Sequence, residues 1–211
     1  MGGILDIQRI CGSLDRGDID NAQFLEQFNR EVAAQLGCSR AGTWVLIETS
    51  EGRAMRCVAM FDALQDRMVG TTDILMADSP AYFEALLRDG CVVATAAQNH
   101  PATTSLVHDY LVPKDIRSML DVGFSVNGVL FGMFSCEQVG AAHPWTQREL
   151  QALRQIGALA SLTLMHAVNL KVDTAPGALW EPSMPSRLAS PPGPTDADEA
   201  DPPRSPDRRR S

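Results

Sequence analysis

Nine of the chain's 13 prolines fall within its last 41 residues, and this break in composition near residue 171 limits how much of the chain can fold. Residues 171–211 read as Pro/Ser/Asp/Arg stretches such as SPPGPTDAD at 190–198, with few apolar side chains. A segment of that kind buries too little apolar surface to offset the entropy of ordering it. It is expected to be a disordered tail, which leaves residues 1–170 to form one domain of ordinary size. That part carries 12 Lys/Arg against 19 Asp/Glu, nearly all of the chain's net charge of −8. Such an acidic surface repels polyanions, so a nucleic-acid partner is not expected. No apolar run approaches the roughly 20 residues of a membrane span. Met1 to Arg9 lacks the basic and apolar regions of a secretory signal, and the expected location is the cytoplasm. The five cysteines (Cys11, Cys38, Cys57, Cys91 and Cys136) are scattered without zinc or disulfide spacing and are expected to pack as small hydrophobes.

Within 1–170 the apolar periodicity predicts alternating blocks of helix and strand. A short helix spans Ile4 to Leu14. A second begins at Asp20, with Gln23 completing a capping box and Ile19 placed to staple Phe24. It presents Phe24, Phe28, Val32 and Leu36 on one face before Gly37 ends it. Strands at Thr43–Glu48 and Arg53–Asp62 flank the turn 49–52. Residues 63–77 show no period and read as a loop. Ser79-Pro80 supplies an N-cap and a first-turn proline for a helix through Leu87 that stops at Gly90. A short strand at Cys91–Thr95, a polar loop and a short helix at Thr104–Leu111 follow. The clearest hairpin pairs Ser118–Val126 with Val129–Val139 across Asn127-Gly128, residues suited to a type I′ turn. A long last helix starts at the Thr146/Glu149 capping box, with Trp145 stapling Leu150. Its inner face is Leu150, Leu153, Ile156, Ala160 and Leu164. Leu159, Leu162 and Met165 make the opposite side apolar too, so that part of the helix is expected to meet another subunit, with Ile7 and Ile10 as possible partners and packing of the first helix over it within one chain as the rival. The predicted fold class is α+β: an antiparallel sheet with the N- and C-terminal helices on one face and helices and loops on the other.

Seven runs, in this order, resemble a GAF domain: AGTWVL at 41–46, RCVAM at 56–60, PAYFEAL at 80–86, DYL at 109–111, SMLDV at 118–122, GVLFGMFSCE at 128–137 and PWTQRE at 144–149. The resemblance covers Asp20 to Met165, about 70% of the chain, and is strongest to GAF units attached to sensor histidine kinases and diguanylate cyclases. It divides the chain into an N-terminal helix (1–18), a GAF domain (19–170) and the tail (171–211). It implies a ligand pocket between the sheet and residues 63–117, and dimerisation through the terminal helices. It names no ligand or cofactor, because the fold hosts cyclic nucleotides, haem, bilins, small acids or nothing. A proline-rich tail cannot itself be the expected kinase or cyclase output domain.

On the strand at 118–126, Leu120, Val122, Phe124 and Val126 suit the helix-packed face. Met119 and Asp121 then point to the pocket, which Tyr110 is expected to cover. An acid facing a covered cavity needs a partner. Asp121 is expected to contact a ligand, or else to cap a loop or pair with Arg117 or Arg56. Tyr110, Asp121, Met119, His108 and Cys57 form the candidate ligand-binding set, with no catalytic or metal-ligating residues. His108 and His100 lack a second ligand at useful spacing for haem or a metal. Ser105, Leu106 and Val107 stand where a bilin would need a cysteine. The sulfoxide-reductase chemistry known in this fold would need a resolving partner for Cys91, and 112–117 holds no cysteine. Cys136 and Glu137 point to opposite faces and cannot act as a pair. His166 lacks the acidic residue and proline of a phosphoacceptor box, and the six methionines between 55 and 133 read as core filler.

The expected function is a non-catalytic sensory or regulatory protein binding a small molecule or partner in signal transduction, as a homodimer. The alternatives are a truncated or split input domain of a sensor kinase or cyclase, and an interaction scaffold with a filled pocket. Cutting the chain after Leu170 is expected to leave its thermal midpoint and oligomeric state unchanged, as read by calorimetry and light scattering. A clear drop in midpoint would show that Leu179, Trp180 and Met184 dock onto the domain.

Overall fold

The computed structural model describes residues 3–126 and 129–168. Helices α1 (Gly3–Asp15) and α2 (Asn21–Leu36) are followed by strands β1 (Arg40–Thr49) and β2 (Gly52–Asp62) and the short strands β3 (Arg67–Met68) and β4 (Ile74–Leu75). Helix α3 (Pro80–Asp89), strand β5 (Cys91–Ala94), and strands β6 (Ile116–Val126) and β7 (Val129–Val139) precede the long helix α4 (Gln147–Ala167). Both capping boxes form. Asp20 accepts from the Gln23 N–H at 2.8 Å while Gln23 Oε1 accepts from the Asp20 N–H at 2.9 Å. Thr146 and Glu149 exchange the same pair of bonds at the start of α4. Gly37 and Gly90 end α2 and α3 in the left-handed conformation (φ 60° and 68°).

The sheet is antiparallel, in the order β3-β2-β1-β7-β6-β5, with β4 also on β2. Strand alternation splits the interior into two cores. Ala41, Val45, Leu120, Val122, Phe124, Phe134 and Cys136 pack against α1, α2 and α4. Trp44, Met55, Met60, Met119 and Met133 pack against α3 and the segment 97–111. The predicted architecture is therefore the observed one. The Asn127-Gly128 turn and the tail lie outside the described residues.

Four local expectations are corrected. Part of 63–77 is strand, because β3 and β4 satisfy backbone groups along the outer side of β2. The segment expected as a helix at 104–111 is a 3₁₀ turn (Pro101–Leu106) running into one π-helical turn (Val107–Leu111). Here the hydroxyls of Thr103 and Thr104 bond to the carbonyls of Ala97 and Pro101 and compete with regular helix pairing. The Ser79 side chain does not cap α3; its hydroxyl accepts from Ser105 Oγ at 2.9 Å. Lastly, Ile7, Ile10 and Met165 are buried within the monomer, where α1 packs on α2 and α4. The apolar side chains left exposed on these helices are Ile4, Leu5, Leu159 and Leu162.

One glycine shows how close the central strands approach. Val45 pairs with Gly132, and a Cβ there would lie 2.0 Å from the Trp44 carbonyl oxygen and 2.6 Å from the Phe124 ring. Neither neighbour can retreat, since one is backbone and the other is core. Gly132→Ala is expected to cost about 3 kcal/mol or more in urea denaturation. Gly70→Ala, with open space around it, should change stability little. Equal effects would refute the close approach.

Candidate functional site

The face of the sheet away from the terminal helices carries an unusual amount of buried polarity. Adjacent cross-strand rows set it out. Arg40 of β1 lies between Asp62 of β2 and Glu137 of β7, and Glu137 is opposite Met119 of β6. In the next row of the same face, Met60, Gly42, Ser135 and Asp121 run from β2 to β6. Asp121 and Glu137 are thus diagonal neighbours, about 7–8 Å apart at the backbone, and both are fully buried. The covering elements answer these acids with two tyrosines. Tyr82 of α3 donates its hydroxyl to Asp121 Oδ2 at 2.7 Å, with the Met133 sulfur 2.9 Å from the Tyr82 hydroxyl oxygen. Tyr110, in the π-helical turn, donates to Glu137 Oε1. The Trp44 indole N–H donates to Ser135 Oγ at 2.9 Å.

Each carboxylate keeps one oxygen without a hydrogen-bond partner, Asp121 Oδ1 and Glu137 Oε2. Arg40 Nη1 is 3.6 Å from Glu137 Oε2, beyond hydrogen-bond reach, while its Nε donates to Asp62 at 3.1 Å. Burial drives the protonation of the cluster. It pushes the Asp121 carboxyl up to about 8, with the Tyr82 bond opposing and the Glu137 charge adding. It also raises Glu137, against the Tyr110 bond and Arg40. Both phenols are held well above the usual tyrosine range by burial and by the facing acids, so they remain O–H donors throughout the neutral range.

The sequence-predicted residues distribute unevenly around this cluster. Met119 and Asp121 are buried on the expected face, and Cys57 is half-buried on β2 with its thiol pushed up to about 12, chiefly by burial. Tyr110 reaches the interior but does not meet Asp121. The phenol on Asp121 belongs to Tyr82, because α3 rather than the turn lies over that end of the sheet. Neither expected arginine reaches Asp121 either: Arg56 binds Asp73 at 2.8 Å and Arg117 pairs with Asp115. His108 is exposed and lies outside the buried set. Sequence reasoning missed Glu137 and Tyr82. The same alternation that sends Cys136 to the helix side sends Glu137 to this face, and that signal was available.

Outside the cluster, a shallow groove of about 130 Å³ lies beside β4 and the turn segment; Asp73, Asp78, Ser79, Ser105, Asp109 and Tyr110 line it. Tyr110 therefore connects the groove to Glu137. Among the described residues no group of three or more His, Cys, Asp or Glu is placed to hold a metal. No described helix is long and apolar enough to cross a membrane.

The GAF domain family model matches residues 20–164. The chain belongs to the GAF domain family. No curated protein is detectably similar in sequence. Solved structures agree on the fold. A phycocyanobilin-bound GAF domain from a cyanobacterial phytochrome is 14% identical with a TM-score of 0.61, over 79% of this chain and 96% of its own. The GAF domain of an Acinetobacter phosphoenolpyruvate-protein phosphotransferase is 15% identical at 0.58, over 79% and 95%. Its counterpart from Coxiella burnetii is 16% identical at 0.56, over 80% and 97%. The GAF domain is a sensory, ligand-binding class of module, and the acid–tyrosine cluster lies between its sheet and covering segment.

The raised Asp121 carboxyl has a consequence for stability. Between the ordinary value of 3.8 and about 8 the folded state holds a proton that the unfolded chain has released. Stability therefore falls as pH rises through that window, by ~1.4 kcal/mol per pH unit at most from this residue, and levels off above it. Asp121→Asn keeps an acceptor for Tyr82 and removes the titration. It should give a flatter thermal midpoint between pH 5 and 8, and a higher midpoint than the parent at pH 8. Parallel pH profiles would show that Asp121 does not titrate there.

Proposed function

We propose that this GAF domain is a non-catalytic sensor of a small molecule, held between the β1-β7-β6 floor and the α3/97–111 lid, acting in cytoplasmic signal transduction. The observation that carries this reading is the pair of buried carboxylates, each tied to the lid by one oxygen and making no hydrogen bond at the other, with Glu137's second oxygen facing Arg40 at 3.6 Å. An unfilled buried acceptor is costly in a structural core and useful in a binding site. The four buried methionines around it, Met55, Met60, Met119 and Met133, have the adaptable side chains that let a closed interior reshape around a guest. A related fold supports a guest: the cyanobacterial phytochrome GAF domain is phycocyanobilin-bound. A thioether-linked bilin is not proposed here, since Ser105, Leu106 and Val107 offer no cysteine.

The close packing of Trp44, Met55, Met60 and Met133, each at most 1% exposed, favours a second reading, in which the filled interior serves an interaction scaffold. Native mass spectrometry of the purified protein separates the two. A bound mass that is lost on denaturation, or a gain in thermal midpoint with a small molecule, supports the sensor. A protein that never retains or responds to one is a scaffold.

Output is proposed to pass through the terminal helices of a homodimer to a signalling kinase or cyclase. In support, α1 and α4 pack together yet leave Leu5, Leu159 and Leu162 in water, and apolar surface there favours burial against a second copy. Replacing Leu159 and Leu162 together with glutamate should yield a folded monomer by light scattering with an unchanged circular dichroism spectrum. A dimer that persists would move the interface elsewhere.

A further inference from the structure

We infer that the molecule this site accepts is a small organic cation carrying N–H donors, drawn in past Tyr110 and seated between Asp121 and Glu137. The inference rests on the sensor reading above and adds the chemistry of the guest. Three observations carry it. First, acids outnumber cations here: Asp121, Glu137 and Asp62 face one buried guanidinium, Arg40, hydrogen-bonded to Asp62 and 3.6 Å from Glu137, with the half-buried Lys114 over the Tyr110 ring as the other cation near Glu137. Second, the two floor oxygens that make no hydrogen bond, Asp121 Oδ1 and Glu137 Oε2, both belong to carboxyl groups, the latter facing Arg40 Nη1 at 3.6 Å. An ionised carboxylate only accepts, so the complementary ligand atoms are donors, and a charged donor makes the stronger bond. Third, the groove that Tyr110 shares with the surface is lined by Asp73, Asp78 and Asp109. Asp73 is occupied by Arg56, but Asp78 and Asp109 form no ion pair among the described residues. An acidic mouth above acidic groups concentrates cations and turns anions away.

Room for the guest comes from one side chain. The terminal atoms of Met60 lie over Gly42, its methyl 2.6 Å from where a Cβ would stand, and Ser135 Oγ is 2.9 Å from the same point. Swinging this unbranched thioether aside would bare the floor beside Ser135 and Asp121 without moving a strand. Asp121 faces Tyr82 from α3 and Glu137 from β7. Glu137 faces Tyr110 from the turn and Arg40 from β1, with Lys114 and Cys57 nearby. A cation arriving at Asp121 displaces the proton that burial retains there, so its affinity must rise with pH. A ligand that instead accepted that proton in a hydrogen bond would bind more weakly as pH rises.

The test uses the full chain with agmatine and histamine as cationic probes, and butyramide and butyrate as neutral and anionic counterparts, in thermal-shift and calorimetric titrations at pH 6.5 and 8.5. The expected result is stabilisation by a cation, tightening about tenfold or more between the two pH values. Asp121→Asn should weaken it about tenfold or more and abolish the pH dependence. Tyr82→Phe, which leaves the carboxyl in place, should keep the pH dependence and guards against misfolding of the first variant. Binding of butyramide or butyrate in place of the cations, or cation binding indifferent to Asp121→Asn, overturns the inference and leaves the sensor reading standing. No binding by any probe, together with a bare polypeptide mass in native spectrometry, overturns both.

Discussion

Two phenol–carboxylate hydrogen bonds tie the lid of this domain to its floor, and the arrangement of the other buried polar groups follows from them. Tyr82 and Tyr110 come from separate covering segments, and Asp121 and Glu137 from adjacent central strands. Such a hydrogen bond contributes about 0.5–1.5 kcal/mol to a neutral acid and about 1.5–3 kcal/mol to an ionised one, whereas leaving the acid unpaired in the core costs at least as much. Closing the lid therefore depends on satisfying both acids, and any guest that separates a tyrosine from its acid must supply a replacement. Under the proposed sensor reading, that requirement would give the interior chemical selectivity even though much of its lining is methionine and aromatic.

The same strands explain how an event at the acids could be felt elsewhere. Asp121 stands between Leu120 and Val122, which point to the opposite core and pack with α4, Phe124 and Phe134. Any displacement of β6 at Asp121 would disturb that packing, because a close-packed core does not absorb displacement at one point. Helix α4 lies against α1, so both chain ends of the domain are mechanically coupled to the pocket face through one sheet. Transmission in this sense needs only that a ligand prefer one packing of β6 on α4 over another.

Much of the fold was legible in local sequence chemistry. The Asp20/Gln23 and Thr146/Glu149 boxes, Gly37 and Gly90, and the alternation along 119–124 are decided by neighbouring residues, and each formed as expected. The misses came from interactions between distant residues. The Thr103 and Thr104 hydroxyls turn an amphipathic stretch into 3₁₀ and π geometry, and only the folded chain shows that this brings Tyr110 over Glu137. Met165 looks exposed on the helical period of α4 and is buried in the folded chain, where α4 packs on α1 and α2. Asp121 was found because one strand's alternation places it, but its partner could not be. Tyr82 is 39 residues away, and the two sit together only once α3 is laid across the sheet. Glu137 was set aside on the ground that it cannot pair with Cys136; the same alternation, followed one step further, puts it beside Asp121.

The cost of this arrangement argues that it is not a packing accident. Replacing a buried ionisable cluster with apolar residues of similar volume is often neutral or stabilising by 1–4 kcal/mol, and the opposite face of this sheet shows the apolar solution in Leu120, Val122, Phe134 and Cys136. A chain that can build such a face on one side could close the other with apolar side chains as well. The oxygens of Asp121 and Glu137 that make no hydrogen bond leave part of the desolvation cost unrecovered. Under the proposed sensor reading, a ligand that donates to those oxygens would recover it, and recognition would then give a physical reason to keep the two acids beyond their bonds to the lid.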